Sequence, residues 1–182
     1  MAKIVSEKQV FKGTVFTVKE LIAELPNGKR MKFSVIDKND TAMIVPVTDD
    51  GQLVMQKEYF VASNTHLLSI PKGMMADGEH RLEAANRELQ EEAGYKAGEL
   101  IDLGTLVVSP GYIRHKTHVF LARKLTKSRL AGDEDEEIEV VKIAFADFEK
   151  LVYSHEITEA RVIAALFLAK KYLEEHGGLR KD

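Results

Sequence analysis

Three carboxylates stand close together in the stretch "ANRELQEEAGY": Glu88, Glu91 and Glu92. Their spacing of i, i+3 and i+4 places them on one patch if the segment is helical. Leu82, Ala85, Leu89 and Ala93 recur at helical spacing from His80 to about Ala93, and Gly94 then ends the run. The apolar side should pack and the carboxylates should meet solvent on the other. Like charges so placed repel, by only a few tenths of a kcal/mol per pair when solvated. One reading is therefore an ordinary acidic helix face with Arg87 and Lys96 nearby. The other is a site for a hard cation, since carboxylate oxygens suit Mg²⁺ or Mn²⁺, which keep waters and accept phosphate oxygens as further ligands.

The elements that must position such a site are legible in outline. "TVKELIAEL" leads into Asn27-Gly28, and Met31, Phe33 and Val35 then alternate with Lys32 and Ser34, which predicts an antiparallel hairpin in the first forty residues. Read by period alone, "KELIAEL" also suits a helix, and the turn decides against it. "AMIVPV" and "LVMQ" flank Asp50-Gly51 and read as core strands; "LIDLGTLVV", "KTHVFLAR" and "IEVVKI" read as three more. A helix from about Thr158 to Glu175 has Thr158 as its expected N-cap, Val162, Ala165, Leu166, Ala169 and Leu173 on one face, and Gly177-Gly178 as its stop. Strands interleaved with a few helices predict an α/β or α+β fold, a mixed sheet covered by helices.

Composition narrows the function classes. The chain has 182 residues, enough for one core, with 45% hydrophobic and 30% charged residues. A net charge of -3 gives no electrostatic reason to expect nucleic acid as a partner. The absence of Cys removes disulfides, thiolate metal sites and Cys nucleophiles together. The opening "MAKIVSEKQV" carries charges where a signal peptide needs an apolar core, and no run is long enough to span a membrane, so the expected location is the cytoplasm.

Read from Gly73, the stretch runs G, five residues, Glu79, seven residues, then Arg87-Glu88-Leu89-Gln90-Glu91-Glu92-Ala93-Gly94-Tyr95. It resembles the signature of the Nudix hydrolases, G-x5-E-x7-R-E-U-x-E-E-x-G-U with U bulky and apolar, and every fixed position is filled. Tyr95 stands where an aliphatic residue is more usual. The resemblance implies the Nudix fold, a loop-helix-loop in which Gly73 permits a close backbone turn, Glu79 and Arg87 brace the loop against the helix, and Glu88, Glu91 and Glu92 hold divalent metal, Mg²⁺ or Mn²⁺. It also implies hydrolysis of a nucleoside diphosphate linked to another moiety.

Features outside the signature refine the resemblance. Pro110 in "SPGY" lies fifteen residues beyond Tyr95, like the marker of the ADP-ribose pyrophosphatase branch, while Tyr112 resembles a marker of dinucleoside polyphosphate hydrolases. The acidic loop "GDEDEEIEV" is similar to the one in which that branch places a catalytic Glu, which puts the role on Glu134, with Glu136 as second candidate and Glu92 also in the catalytic set. The segments "EYFVAS", "PKGMMADGE", "EAANREL" and "EARVIAALFLA" look most like the bacterial ADP-compounds hydrolase subgroup, which accepts ADP-ribose, reduced NAD and short diadenosine polyphosphates. Two places depart from the ADP-ribose pattern: Phe60 and Phe33-Ser34 stand where Arg and an Arg-Glu pair are usual. Tyr59, Phe60 and Tyr112 are stacking candidates for a base, Lys57 and Arg114 candidates for phosphate, and Met74 and Met75 expected cleft-lining core residues. By the same resemblance residues 1–40 form a β unit that pairs in a homodimer, and residues 41–182 the hydrolase domain. The rival readings are a house-cleaning nucleoside triphosphatase and a non-catalytic nucleotide-binding regulator.

Overall fold

The computed structural model describes residues 1–132 and 138–177. The chain divides into two compact units, Met1–Asp40 with Val107–Thr117, and Thr41–Leu106 with His118–Asp182.

The first unit is a four-stranded sheet in the order β1 (Lys3–Lys12), β2 (Thr17–Glu24), β3 (Arg30–Asp37) and β9 (Ile113–Arg114). β2 and β3 form the expected hairpin, paired antiparallel from Thr17 opposite Asp37 to Glu24 opposite Arg30. Gly28 takes φ 77° in its turn, a left-handed conformation that glycine adopts without steric cost. Leu21 and Ala23, two residues apart, are buried, so a period of two governs "KELIAEL". β1, which the turn signals did not mark, runs antiparallel to β2 and is exposed throughout.

The second unit holds two sheets, β7 (Lys72–Met74), β4 (Thr41–Pro46), β10 (Lys116–Lys127) and β8 (Tyr95–Val107) in one, and β11 (Glu139–Ala144), β5 (Gln52–Phe60) and β6 (Thr65–Ser69) in the other. The helices are α1 (Arg81–Glu92), α2 (Phe148–Tyr153) and α3 (Ala160–Glu175). Alternation along the central strands builds a core on each face. Ala42, Ile44, Val54, Phe120 and Ala122 pack with Ala85 and Leu89 of α1, whereas Met43, Val45, Leu53, Met55, Val119 and Leu121 pack with Val162, Leu166 and Ala169 of α3. A side chain such as Leu89 or Phe120 contributes on the order of 2 kcal/mol by leaving water. The result is a mixed sheet layer between helices, as the strand and helix pattern predicts. Among the described residues no helix is long and apolar enough to cross a membrane.

Three local expectations are corrected. α3 begins at Ala160 with Glu159 at its N-cap position and no side-chain cap bond, so Thr158 does not cap it. Leu82 is exposed, because the buried face of α1 is Ala84, Ala85, Glu88, Leu89 and Glu92. Met74 is likewise exposed, while Met75 packs against the α1 cluster.

Candidate active site

Two turns of α1 lie against the short strand β7, and small residues make the approach possible. Ala84 and Ala85 are fully buried, and Gly73 sits opposite Ala42 in the antiparallel pairing of β7 with β4. A Cβ on Gly73 would lie 2.0 Å from the carboxyl carbon of Glu88. The glycine is therefore required by the close approach of a carboxylate, and not by a left-handed backbone, since its φ is not positive. Gly94 does take φ 72°, in the position just past the helix end where a side chain would be strained.

Glu92 lies one turn beyond Glu88 on the same face and is 5% exposed. Its Oε2 accepts a hydrogen bond from the Lys72 backbone N–H at 2.8 Å and another from Gln56 Nε2 at 2.9 Å. Burial pushes its carboxyl up to about 8, against the opposing pull of Lys72, its N–H and the Gln56 amide. The expected solvated patch is thus corrected: Glu88 and Glu92 belong to the buried face, and Glu91 is half-buried beside them.

Arg87 occupies the middle of the acidic groups. Its Nε and Nη2 donate to the two oxygens of Glu79 at 2.8 and 3.1 Å, Nη2 also reaches the Met74 carbonyl at 3.2 Å, and Nη1 meets Glu88 Oε1 at 2.6 Å and Glu91 Oε2 at 2.8 Å. Glu79 in turn accepts from the Ala76 N–H at 2.8 Å, so the loop before α1 is tied to the helix through one forked guanidinium. Arg87 holds Glu79 well below the usual carboxylate range.

Sequence reasoning missed three groups next to these. Lys72 Nζ donates to Glu58 Oε2 at 2.7 Å and Ser69 Oγ at 3.0 Å, and stands 4.9 Å from the Phe60 ring centroid. Gln56 Nε2 also lies 3.4 Å from Glu58 Oε2. The signals were present: Gln56 is a polar residue closing the apolar run "LVMQ", and Lys72 directly precedes Gly73.

The other candidates are scattered. Lys57 is exposed, and Tyr59 donates its hydroxyl to Asn64 Oδ1 at 2.6 Å while its ring packs on His66. Pro110, Tyr112 and Arg114 belong to the first unit, where Pro110 and Tyr112 are exposed and Arg114 is paired with Glu7 and Asp37. Glu134 and Glu136 lie outside the described residues.

A buried cluster of carboxylates on a helix against a glycine strand, braced by an Arg-Glu pair, defines the class. The NUDIX domain family matches residues 37–166, and the chain belongs to it. It is 34% identical over 166 residues to the ADP-ribose pyrophosphatase of Bacillus subtilis (strain 168), covering 90% of both chains. It is also 34% identical over 176 residues to the ADP compounds hydrolase NudE of Escherichia coli (strain K12), covering 96% of this chain and 94% of that protein. A crystal structure of an ADP compounds hydrolase superposes with a TM-score of 0.89 at 33% identity over 98% of this chain and 97% of that one.

Nudix hydrolases generally depend on a divalent metal. Among the described residues no three acidic or histidine side chains converge as a ready cage. The donor chemistry nevertheless fits a hard cation. Glu88 and Glu92 supply buried oxygens, ionised Glu92 is disfavoured by burial until a positive charge joins it, and the buried Gln56 Oε1 has no hydrogen-bond partner.

Proposed function

We propose that this protein hydrolyses the pyrophosphate bond of ADP-linked compounds, among them ADP-ribose, reduced NAD and short diadenosine polyphosphates. The observation that carries this reading is the pair of buried carboxylates, Glu88 and Glu92, set against the Lys72-Gly73 backbone within an intact Nudix signature. The names of the relatives support the substrate class. Water adds across the anhydride: one phosphorus gains the hydroxyl, the bridging oxygen leaves with the other, and ADP-ribose gives AMP and a phosphorylated sugar.

Glu88, Glu91 and Glu92 would hold Mg²⁺ or Mn²⁺, which supplies charge neutralisation of the pyrophosphate and a more acidic water. Arg87 keeps the loop and the carboxylates in place. Glu134, or else Glu136, orients or deprotonates the attacking water, a task for a carboxylate within hydrogen-bond reach. Lys57 and Arg114 are assigned to phosphate, Tyr59, Phe60 and Tyr112 to the base, and Pro110 to the substrate-binding set beside Tyr112. Residues 1–40 mediate a homodimer, for which the exposed Ile4, Val10 and Phe11 of the first unit offer apolar surface. The protein works in the cytoplasm, with no nucleic acid or membrane as partner.

The test is AMP release from ADP-ribose, reduced NAD, diadenosine triphosphate and a nucleoside triphosphate, each with Mg²⁺, with Mn²⁺ and with chelator. Metal-dependent AMP from the first three is the expected outcome. Pyrophosphate from the triphosphate alone would make the protein a house-cleaning enzyme, and nucleotide binding without any product would make it a regulator. Glu134→Gln is expected to slow turnover while leaving substrate binding in place; normal turnover would move the role to Glu136 or to the carboxylates of the helix.

A further inference from the structure

We propose that Gln56 is a positioning residue that holds Glu92 by one oxygen and so fixes the carboxylate for the cation. The proposal rests on the metal-site reading of Glu92 given above.

Residues 54, 56 and 58 of β5 share one face, since side chains alternate along a strand. Val54 on that face packs in the α1 cluster, and Leu53 and Met55 point into the opposite core. An apolar side chain would serve packing at position 56, which is 0% exposed. A buried amide there costs stability unless its groups are paired, and its Oε1 has no partner. What the amide does make is directed: Nε2 donates to Glu92 Oε2 at 2.9 Å and lies 3.4 Å from Glu58 Oε2. The Lys72 backbone N–H closes on the same Glu92 oxygen at 2.8 Å, and the Lys72 ammonium pairs with that Glu58 oxygen at 2.7 Å. Both donors to Glu92 thus grip Oε2, which sets the rotation of the carboxylate and the aim of its Oε1. The two N–H donors on the one amide nitrogen let Gln56 serve both carboxylates from this strand position. Groups that orient a metal ligand typically change metal affinity by about 10–100-fold when lost.

The test compares the wild-type chain with Gln56→Met, Gln56→Leu, Glu92→Gln and the double variant Gln56→Met/Glu92→Gln. Mn²⁺ affinity is read from the electron paramagnetic resonance signal of free Mn²⁺, the melting temperature is read in chelator, and kcat and KM are measured on ADP-ribose. The expected result is that either Gln56 variant weakens Mn²⁺ about tenfold or more and lowers kcat, with KM and the metal-free melting temperature held or the latter raised. In the double variant Gln56→Met should add nothing to the loss from Glu92→Gln. Wild-type Mn²⁺ affinity in both Gln56 variants, or a full additional loss in the double variant, overturns the proposal and leaves the metal reading of Glu92 standing. Wild-type Mn²⁺ affinity in Glu92→Gln overturns that reading, and this proposal with it.

Discussion

Two clusters of charge invite comparison because both bridge several elements and they differ in burial and in the balance of charge. In the first unit Glu7 and Asp37 face Lys19 and Arg114, two negative groups against two positive ones, with Lys19 3.0 Å from Glu7 and Arg114 3.2 Å from it. The side chains of Glu7 and Arg114 stay 35% and 44% exposed, so water and salt do much of the compensating. At α1, Arg87 faces Glu79, Glu88 and Glu91 and Lys72 pairs with Glu58, while Glu92 lies buried one turn on. Here the Glu88 side chain is only 9% exposed, and Arg87 and Lys72 stand among Glu58, Glu79, Glu88, Glu91 and Glu92, so carboxylates outnumber the cations named. A balanced exposed network asks for nothing more. A buried surplus is stable only if something positive joins it or if a proton stays on.

The variant that should break this contrast most severely is Glu92→Gln. It keeps the shape and the hydrogen bond to an N–H through its amide oxygen, and it removes the buried charge. Turnover with Mg²⁺ should fall by about 10²–10³-fold, the size of effect seen when one preorganised electrostatic group is lost. Melting in chelator should be unchanged or slightly raised. A Glu92→Gln protein that turns over normally would show that the surplus charge is only a buried structural feature.

Gly73→Ala acts on the same cluster from the other side. The new methyl would stand 2.0 Å from the Glu88 carboxyl group, so Glu88 or β7 must shift. Overpacking of this kind costs about 1–3 kcal/mol, and the displaced carboxylate should lower turnover as well. Thermal melting and steady-state kinetics on the one variant check both. Wild-type values in both would mean that Glu88 has an equally good second position.

How much of this contrast the sequence carried is instructive residue by residue. The hairpin around Asn27-Gly28 was legible because turn chemistry is local. The strands "AMIVPV" and "KTHVFLAR" were legible because their apolar residues are dense, and the spacing of Arg87, Glu88, Glu91 and Glu92 is a local pattern too. What a local pattern could not supply was the burial of Glu88 and Glu92. A helical wheel assigns carboxylates to solvent, and only the approach of β7, twenty residues earlier in the chain from Lys72 to Glu92, turns that face inward. The same blindness hid Gln56, thirty-six residues from its partner. β1 escaped because a wholly exposed strand has no buried side to impose alternation.

A pH titration sharpens the comparison with a smaller effect. Glu92 has its carboxyl at about 8 in the folded chain, against an ordinary 4.5 once unfolded. Between those values the folded state holds a proton that the unfolded chain has released, so stability in chelator should fall as pH rises through this window and level off above it. The change should be a few kcal/mol at most. A divalent cation binds the ionised form, so its stabilising effect on the melting temperature should be larger at pH 8 than at pH 6. Glu92→Gln should lose this slope. An unchanged slope in the variant would assign it to other groups.

The smallest effect belongs to the exposed network. Arg114, and then Lys19, hold Glu7 below the usual carboxylate range, which marks a real pairing without making it a strong one. In Glu7→Gln the guanidinium of Arg114 keeps Asp37, and Lys19 keeps Asp37 as well, so no buried charge is stranded. Solvated pairs of this kind are screened at physiological salt. The melting temperature of Glu7→Gln at 0.15 M salt, the ionic strength at which the Debye length is about 8 Å, should therefore match that of the wild type, and so should kcat. A change confined to KM would be informative in the other direction, because Glu7 competes for the guanidinium that the proposed function assigns to phosphate. A fall in kcat as deep as that of Glu92→Gln would show that exposure does not separate the two clusters, and that the sheet network takes part in the chemistry.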